Sequence, residues 1–249
     1  MKKKKNQTTS FSLSRKRLRD LSSTSVNKQE GRGVTEVLLK LREEKKKSEQ
    51  YLQTLHQLLL SIARAFAAAV ETKDPYSKGH SQKVTQYTLA IARELPASLR
   101  EKFSGNALRE LQLAAFLHDI GKIAIRNDIL DKNGPLNEDE WKEIKKHPRL
   151  GAEILEPIKE LKEVARHIKH HHERVDGKGY PDGLKGEEIP LASRIIAVAD
   201  AFEAMTAARP YRDKRPRRKA IEELRRCSGR QFDKRIIEAF TRAYKKKKV

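Results

Sequence analysis

The amino-acid sequence predicts an all-helical fold, and three observations carry that expectation. Apolar residues return at steps of three and four through 82–95, 107–118, 138–147, 150–156, 160–172, 191–208, 217–226 and 233–244, the period of helices with one buried face. Alternation of the strand kind is nearly absent. Glycine and proline gather in two stretches, "DKNGPLN" at 131–137 and "ERVDGKGYPDGLKGEEIP" at 173–190, which forbid regular structure and separate helical segments. A chain of 249 residues with 37% hydrophobic content supports one main core rather than two.

Taken in order, residues 1–33 are rich in Lys, Arg, Ser and Thr and poor in large apolar groups. Little burial offsets the entropy of ordering them, so a disordered basic tail is expected. No proline intervenes between Val34 and Pro75, and Leu38, Leu41, Leu52, Leu55, Leu59, Ile62 and Phe66 fall on a heptad-like stripe broken by Lys45 and Ser48. A helix over 34–69 follows. Its stripe serves either a second copy, as a coiled-coil homodimer, or the protein's own domain. Residues 70–244 form the main domain and 245–249 a short basic tail. Within the domain, Asn137 with Glu140 makes a capping-box start, and Pro190 suits the first turn of the helix over 191–208.

The net charge of +21 belongs to the two ends: +9 over residues 1–50, +12 over 209–249, and zero between them. Basic ends of this kind are most often solvated, and they leave open contact with nucleic acid, an anionic membrane surface or an acidic protein; an upstream signalling partner is a separate expectation. The single Cys227 permits no intramolecular disulfide. Lys2 to Lys5 lead into no apolar signal core, and no stretch reaches the roughly 18 apolar residues of a membrane span. A cytoplasmic location is expected.

Chemistry enters where ionisable side chains fall on buried faces. Asp200 lies within 191–208, where Ile195, Ile196, Val198, Ala199, Phe202 and Met205 leave almost no polar side. A carboxylate there needs a cation, several donors or a metal. The inward stripe Leu161, Val164, Ala165 and Ile168 continues onto His171 and His172, whereas His167 and His170 continue the polar face and are assigned to solvent. His118 and Asp119 close the run "LAAFLHDIGK", with Gly121 available to stop the helix and Lys122 just beyond. His80 opens a helix in "KGHSQKV", and His147 precedes Pro148 at a junction. Singly, His80 reads as an exposed cap residue and His147 as a charge at a helix C-terminus.

Together, five histidines and two aspartates without a thiolate form a donor set suited to Fe or Mn. Seven donors exceed what one four- to six-coordinate ion uses, so two divalent ions are expected, with Asp119 as the bridge. Two metals about 3.5–4 Å apart suit in-line attack at phosphorus by a metal-activated hydroxide. Their charge would also stabilise a buried Asp119 and hold His118 neutral.

At these residues the chain resembles the HD-GYP family, the branch of HD-domain phosphohydrolases that hydrolyses cyclic di-GMP. The shared motifs are "GHS" at 79–81, "LHDIGK" at 117–122, "HP" at 147–148, "HHERVDGKGYP" at 171–181 and "VADAFEAMTAARPYR" at 198–212. The resemblance implies an HD-domain helical bundle with metal ligands His80, His118, Asp119, His147, His171, His172 and Asp200. It implies that Lys122 contacts the scissile phosphate, that Gly179, Tyr180 and Pro181 shape the substrate loop, and that Arg209 lies near the dinucleotide. Tyr180 offers either a stacking face or a structural hydroxyl. The implied activity opens cyclic di-GMP to linear pGpG, with GMP as the alternative final product.

Two departures stand out. Members proposed to bind three metals carry glutamate where this chain has Tyr76, which favours two ions here; and Val175 stands where many members have tryptophan, which touches loop packing. Two rivals to the phosphodiesterase remain: a silent cyclic di-GMP receptor or scaffold, and an HD-type hydrolase of another nucleotide.

Overall fold

Helix formation follows the apolar periodicity. The computed structural model describes residues 28–74, 78–132, 134–207 and 215–249; the expected tail over 1–27, Tyr76 and Arg209 lie outside the described residues. In chain order the helices are α1 (Lys28–Lys73), α2 (His80–Arg93), α3 (Ala97–Arg100), α4 (Asn106–Leu117), α5 (Asn127–Leu130), α6 (Glu138–Ile144), α7 (His147–Leu155), α8 (Lys162–Lys169), α9 (Leu191–Thr206), α10 (Arg217–Arg226) and α11 (Lys234–Lys245). Among the described residues there is no strand, only isolated bridges between Asp176 and Lys185 and between Ser228 and Phe232.

The chain divides into two units, Met1–Leu55 and His56–Val249. The helix α1 starts at Lys28 rather than Val34, so the expected tail is shorter on its C-terminal side. Within the first unit Leu38, Leu41, Leu52 and Leu55 are all exposed. In the second, α1 buries Leu60, Ala63, Ala67 and Val70, while Leu59, Ile62 and Phe66 face outward at 38%, 42% and 53% exposure. A different face from the heptad stripe therefore docks on the domain. The second unit also begins earlier, at His56, than the expected boundary at residue 70.

The core sits where α9 lies on α2 and α4 lies on α2 and α8. Ile195, Ile196, Val198 and Phe202 of α9 are fully buried, each worth about 1.5–3 kcal/mol of transfer energy. Phe202 meets Tyr87 edge-on at 5.3 Å and Phe240 of α11 at 4.8 Å between ring centres. Residues 245–249 are not a free tail: Lys246 and Lys248 reach the Glu94 carboxylate at 2.8 and 3.1 Å, and Val249 packs against the core. Asn137 does cap α6, accepting from Glu140 N at 2.9 Å while Glu140 accepts from Asn137 N at 2.8 Å. Pro190 precedes α9 as its cap rather than entering its first turn.

One crossing positions the site. A short 3-10 turn over Ile120–Ala124 follows α4 and packs against α7. A methyl on Gly121 would strike the His147 carbonyl and Gly151 N, and one on Gly151 would lie 3.1 Å from Gly121 N. The two backbones touch because neither residue has a side chain. The end of α1 is tied to the same turn, with Lys73 Nζ donating to the carbonyls of Ile123 at 2.6 Å and Ile125 at 2.5 Å. Gly121→Ala is expected to cost about 1–3 kcal/mol and lower the melting temperature by about 2–12 °C, read by calorimetry; an unchanged melting point would show that the crossing is loose.

Candidate metal centre

Three of the ligand candidates are placed by one local device. A helix ends with carbonyls that lack an intrahelical donor, and here a histidine just beyond α4, α6 or α8 donates its Nδ1 hydrogen to such a carbonyl three residues back. His118 uses Ala115 O at 2.9 Å, His147 uses Ile144 O at 2.8 Å and His171 uses Ile168 O at 2.5 Å. His80, first residue of α2, gives Nδ1–H to Glu203 Oε2 at 2.7 Å. With the protons on Nδ1, all four Nε2 lone pairs are free to converge.

Three of them converge on Asp119. Its Oδ2 lies 3.5 Å from His118 Nε2 and 3.7 Å from His80 Nε2, while its Oδ1 lies 3.3 Å from His147 Nε2. His171 Nε2 is 3.4 Å from His147 Nε2, and His172 stacks against His171 with ring centres 4.0 Å apart. Asp200 Oδ1 is 3.4 Å from His80 Nε2. The donors group as His80, His118 and Asp119 on one side and His147, His171 and His172 on the other, each set close enough to hold one cation. Lone pairs facing one another at these distances, on hard nitrogen and oxygen donors, fit divalent metal ions. The cluster is distinct from the surface recess of about 770 Å³ lined by Arg149, Glu153, Arg166 and His170.

Burial sets the protonation. It holds the imidazoles of His118, His147 and His171 down at about 4, and that of His172 well below the usual value. For His80 burial pulls downward too, but the Glu203 hydrogen bond and the charges of Asp200 and Asp119 outweigh it and raise the pKa. Burial penalises the Asp119 carboxylate, yet Lys122 and the surrounding histidines keep it ionised far below the ordinary range. Lys122 Nζ stands 2.8 Å from Asp119 Oδ2 and 3.0 Å from Asp74 Oδ2, and that pair of carboxylates outweighs burial to raise its pKa.

The glycine-rich loop is shaped by its own groups. Glu173 is buried, and its Oε1 accepts from Asp182 N at 2.7 Å and Gly183 N at 3.0 Å. Gly179 folds onto Glu173 and Arg174 so closely that a methyl would overlap their backbone. Val175 donates to Gln231 O at 3.3 Å, which anchors the loop despite the missing tryptophan. Tyr180, joined to Pro181 by a cis peptide, lays its ring 4.9 Å from that of His172.

Several expectations need correction. His171 and His172 lie in the turn after α8, not within a helix. His170 is not a solvent group: it is buried, with Nδ1 at 3.7 Å from Glu173 and 3.9 Å from Asp182. His167 is half-buried, and burial holds it near 4. Sequence reasoning also missed Glu203, Asp74, and Glu71, whose carboxylate accepts from Gly79 N at 2.7 Å and Ser81 N at 3.0 Å at the start of α2. Glu203 had one available signal, an acid within the same apolar helix as Asp200.

An all-helical bundle whose helix ends gather histidine and aspartate donors defines a metal-binding class of domain. Residues 64–236 match the HD domain, and the chain belongs to that family. It is 44% identical over 160 residues to the 3'3'-cGAMP-specific phosphodiesterase 3 of Vibrio cholerae, covering 64% of this chain and 34% of that one. It is 37% identical over 218 residues to the cyclic di-GMP phosphodiesterase response regulator RpfG of Xanthomonas campestris, covering 82% and 56%. The chain thus spans only part of these relatives' length. In fold it is similar to a cyclic GMP-AMP specific phosphodiesterase of Vibrio cholerae, with a TM-score of 0.57, 20% identity, and coverage of 75% and 49%. The HD-GYP resemblance stands. No helix among the described residues is long and apolar enough to cross a membrane.

The depressed histidines fix a pH dependence for the metal-free protein. Between about 6.5 and 4 the unfolded chain takes up protons at His118, His147 and His171 that the folded chain does not, so stability falls as pH falls through that window. His80 works in the opposite direction. The urea midpoint of chelator-treated protein is expected to drop from pH 7 to pH 5; a flat profile would contradict the burial of neutral imidazoles.

Proposed function

We propose that the protein is a metal-dependent phosphodiesterase that opens cyclic di-GMP to linear pGpG, with GMP the product of a second cut. The observation that carries this reading is Asp119, whose two oxygens face two separate groups of histidine nitrogens. That arrangement would suit two ions, Fe or Mn: His80, His118 and Asp200 would hold one and His147, His171 and His172 the other, with Asp119 available to both. When bound, such a pair supplies charge for the phosphate oxygens and a nucleophile from water at neutral pH.

The chain's own groups do the rest. Glu203 and three backbone carbonyls orient the imidazoles and keep their tautomers fixed. Lys122, held between Asp119 and Asp74, keeps positive charge where the scissile phosphate would arrive. Gly179, Tyr180 and Pro181 shape the entrance, and Arg209 serves the dinucleotide from the segment after α9. Water adds at phosphorus, the P–O3′ bond breaks, and the 3′ oxygen leaves with a proton. A cytoplasmic site of action accords with the free Cys227.

A second substrate has specific support, since the 44%-identical relative is named for 3'3'-cGAMP. Protein loaded anaerobically with Fe(II) or Mn(II) is expected to consume cyclic di-GMP, with 3'3'-cGAMP run in parallel and products separated by chromatography. His118→Ala and Asp119→Ala should each reduce turnover to background. Tight binding without product under every metal would overturn the enzyme in favour of a receptor.

The exposed stripe of α1 further supports a homodimer, because Leu38, Leu41, Leu52 and Leu55 are each more than half exposed and their heptad spacing suits a second copy. Leu52→Glu together with Leu55→Glu is expected to convert a sedimenting dimer to a monomer. A monomeric unaltered protein would remove this interface.

A further inference from the structure

We propose that Lys145 is a substrate-binding residue that holds the phosphate not being cut, with Trp141 offering its indole face to a purine. The inference rests on the cyclic dinucleotide reading above. A cyclic dinucleotide carries two phosphates and two bases, and the histidine and aspartate cluster accommodates only the phosphate under attack. A cation beside the centre, unspent on any protein carboxylate, suits the other phosphate.

Lys122 does not meet that requirement, since Asp119 and Asp74 both engage it. Lys83, on the His80 side, is taken by Glu203 at 3.4 Å. Around α6 the lysines divide by pairing: Lys142 reaches Asp139 at 2.8 Å and Lys146 reaches Glu143 at 2.5 Å, whereas Lys145 has no carboxylate partner among the described residues. Its ammonium instead stands 5.7 Å from the centre of the Tyr180 ring, and that ring lies 4.9 Å from the ring of His172. Lys145 is thus two contacts from the metal centre, on the flank formed by the glycine-rich loop. His147 follows it by two residues, so the same junction fixes a ligand and this cation.

Trp141 sits four residues before Lys145, on the same helix face. It is the only tryptophan in the chain and is 49% exposed, with no aromatic partner among the described residues. The capping box of Asn137 and Glu140 and the pair of Lys132 with Glu140 at 2.7 Å hold α6 in place, so the indole is presented from a fixed support. Protein groups already stand against the Tyr180 ring, whereas Trp141, one helical turn before Lys145, is half exposed. Stacking of a base on such a face is favourable and tolerant of base identity.

The test compares two substrates and one binding signal. Lys145→Met is expected to raise the KM for cyclic di-GMP about ten- to hundredfold, the loss of one charge-assisted contact, with kcat nearly unchanged. Its turnover of bis(p-nitrophenyl) phosphate, which has a single phosphate, should stay the same, and Lys142→Met should alter neither. Cyclic di-GMP should quench the Trp141 fluorescence of the unaltered protein, with Lys145→Met weakening that binding by the same factor. An unchanged KM and affinity, or an equal loss with both substrates, would overturn the assignment. Failure of the unaltered protein to cleave cyclic di-GMP would sink the parent reading, and the fluorescence titration would still decide the role of Lys145.

Discussion

The hydrogen bond from a histidine Nδ1 to the carbonyl three residues behind it is the constraint on which the centre depends. It occurs at the ends of α4, α6 and α8. Each bond satisfies a carbonyl that the helix leaves open, and each fixes a tautomer with Nε2 pointing away from its own helix. The C-terminal end of a helix also carries partial negative charge. Three such ends meeting at one place make the surroundings favourable to cations before any ligand side chain is counted. The crossing of Gly121 over Gly151 then sets how near the ends of α4 and α7 come.

Much of this was legible in the sequence, and the limit of legibility is physical. Helix periods gave the bundle, and the inward placement of Asp200, His171 and His172 followed from the neighbouring apolar stripes. What stayed hidden were partners distant along the chain: Glu203 lies 123 residues from His80, and Asp74 lies 48 from Lys122. A face assignment on one helix says nothing about which element covers that face. For the same reason the polar face of α8 does not put His170 in solvent: the returning loop brings Glu173 and Asp182 over it. On α1 the docking face carries Leu60, Ala63, Ala67 and Val70, while the neighbouring stripe residues Leu59, Ile62 and Phe66 face outward. Two of the four docked residues are alanines, which a hydrophobicity pattern weighs least.

Charge is arranged in a line across the centre. Lys122 lies between the carboxylates of Asp74 and Asp119, and Asp119 in turn lies among the imidazoles of His80, His118 and His147. A buried ion pair of this sort adds little net stability, because desolvation opposes it. Its use is orientation: with Lys122 on Oδ2, the carboxylate cannot rotate freely, and its second oxygen stays directed at His147.

That orientation leaves an unresolved repulsion in the metal-free protein. Nε2 atoms stand 3.0 Å apart between His80 and His118 and 3.4 Å apart between His147 and His171, and the Nδ1 bonds have already claimed the ring protons. At the first gap His80, whose surroundings raise its pKa, can supply a proton. At the second, burial opposes protonation of both rings, so lone pair faces lone pair. A cation bound there would relieve a cost that folding imposed, and would couple metal affinity to fold stability. The geometry that gathers these ring nitrogens therefore makes them poor partners for one another.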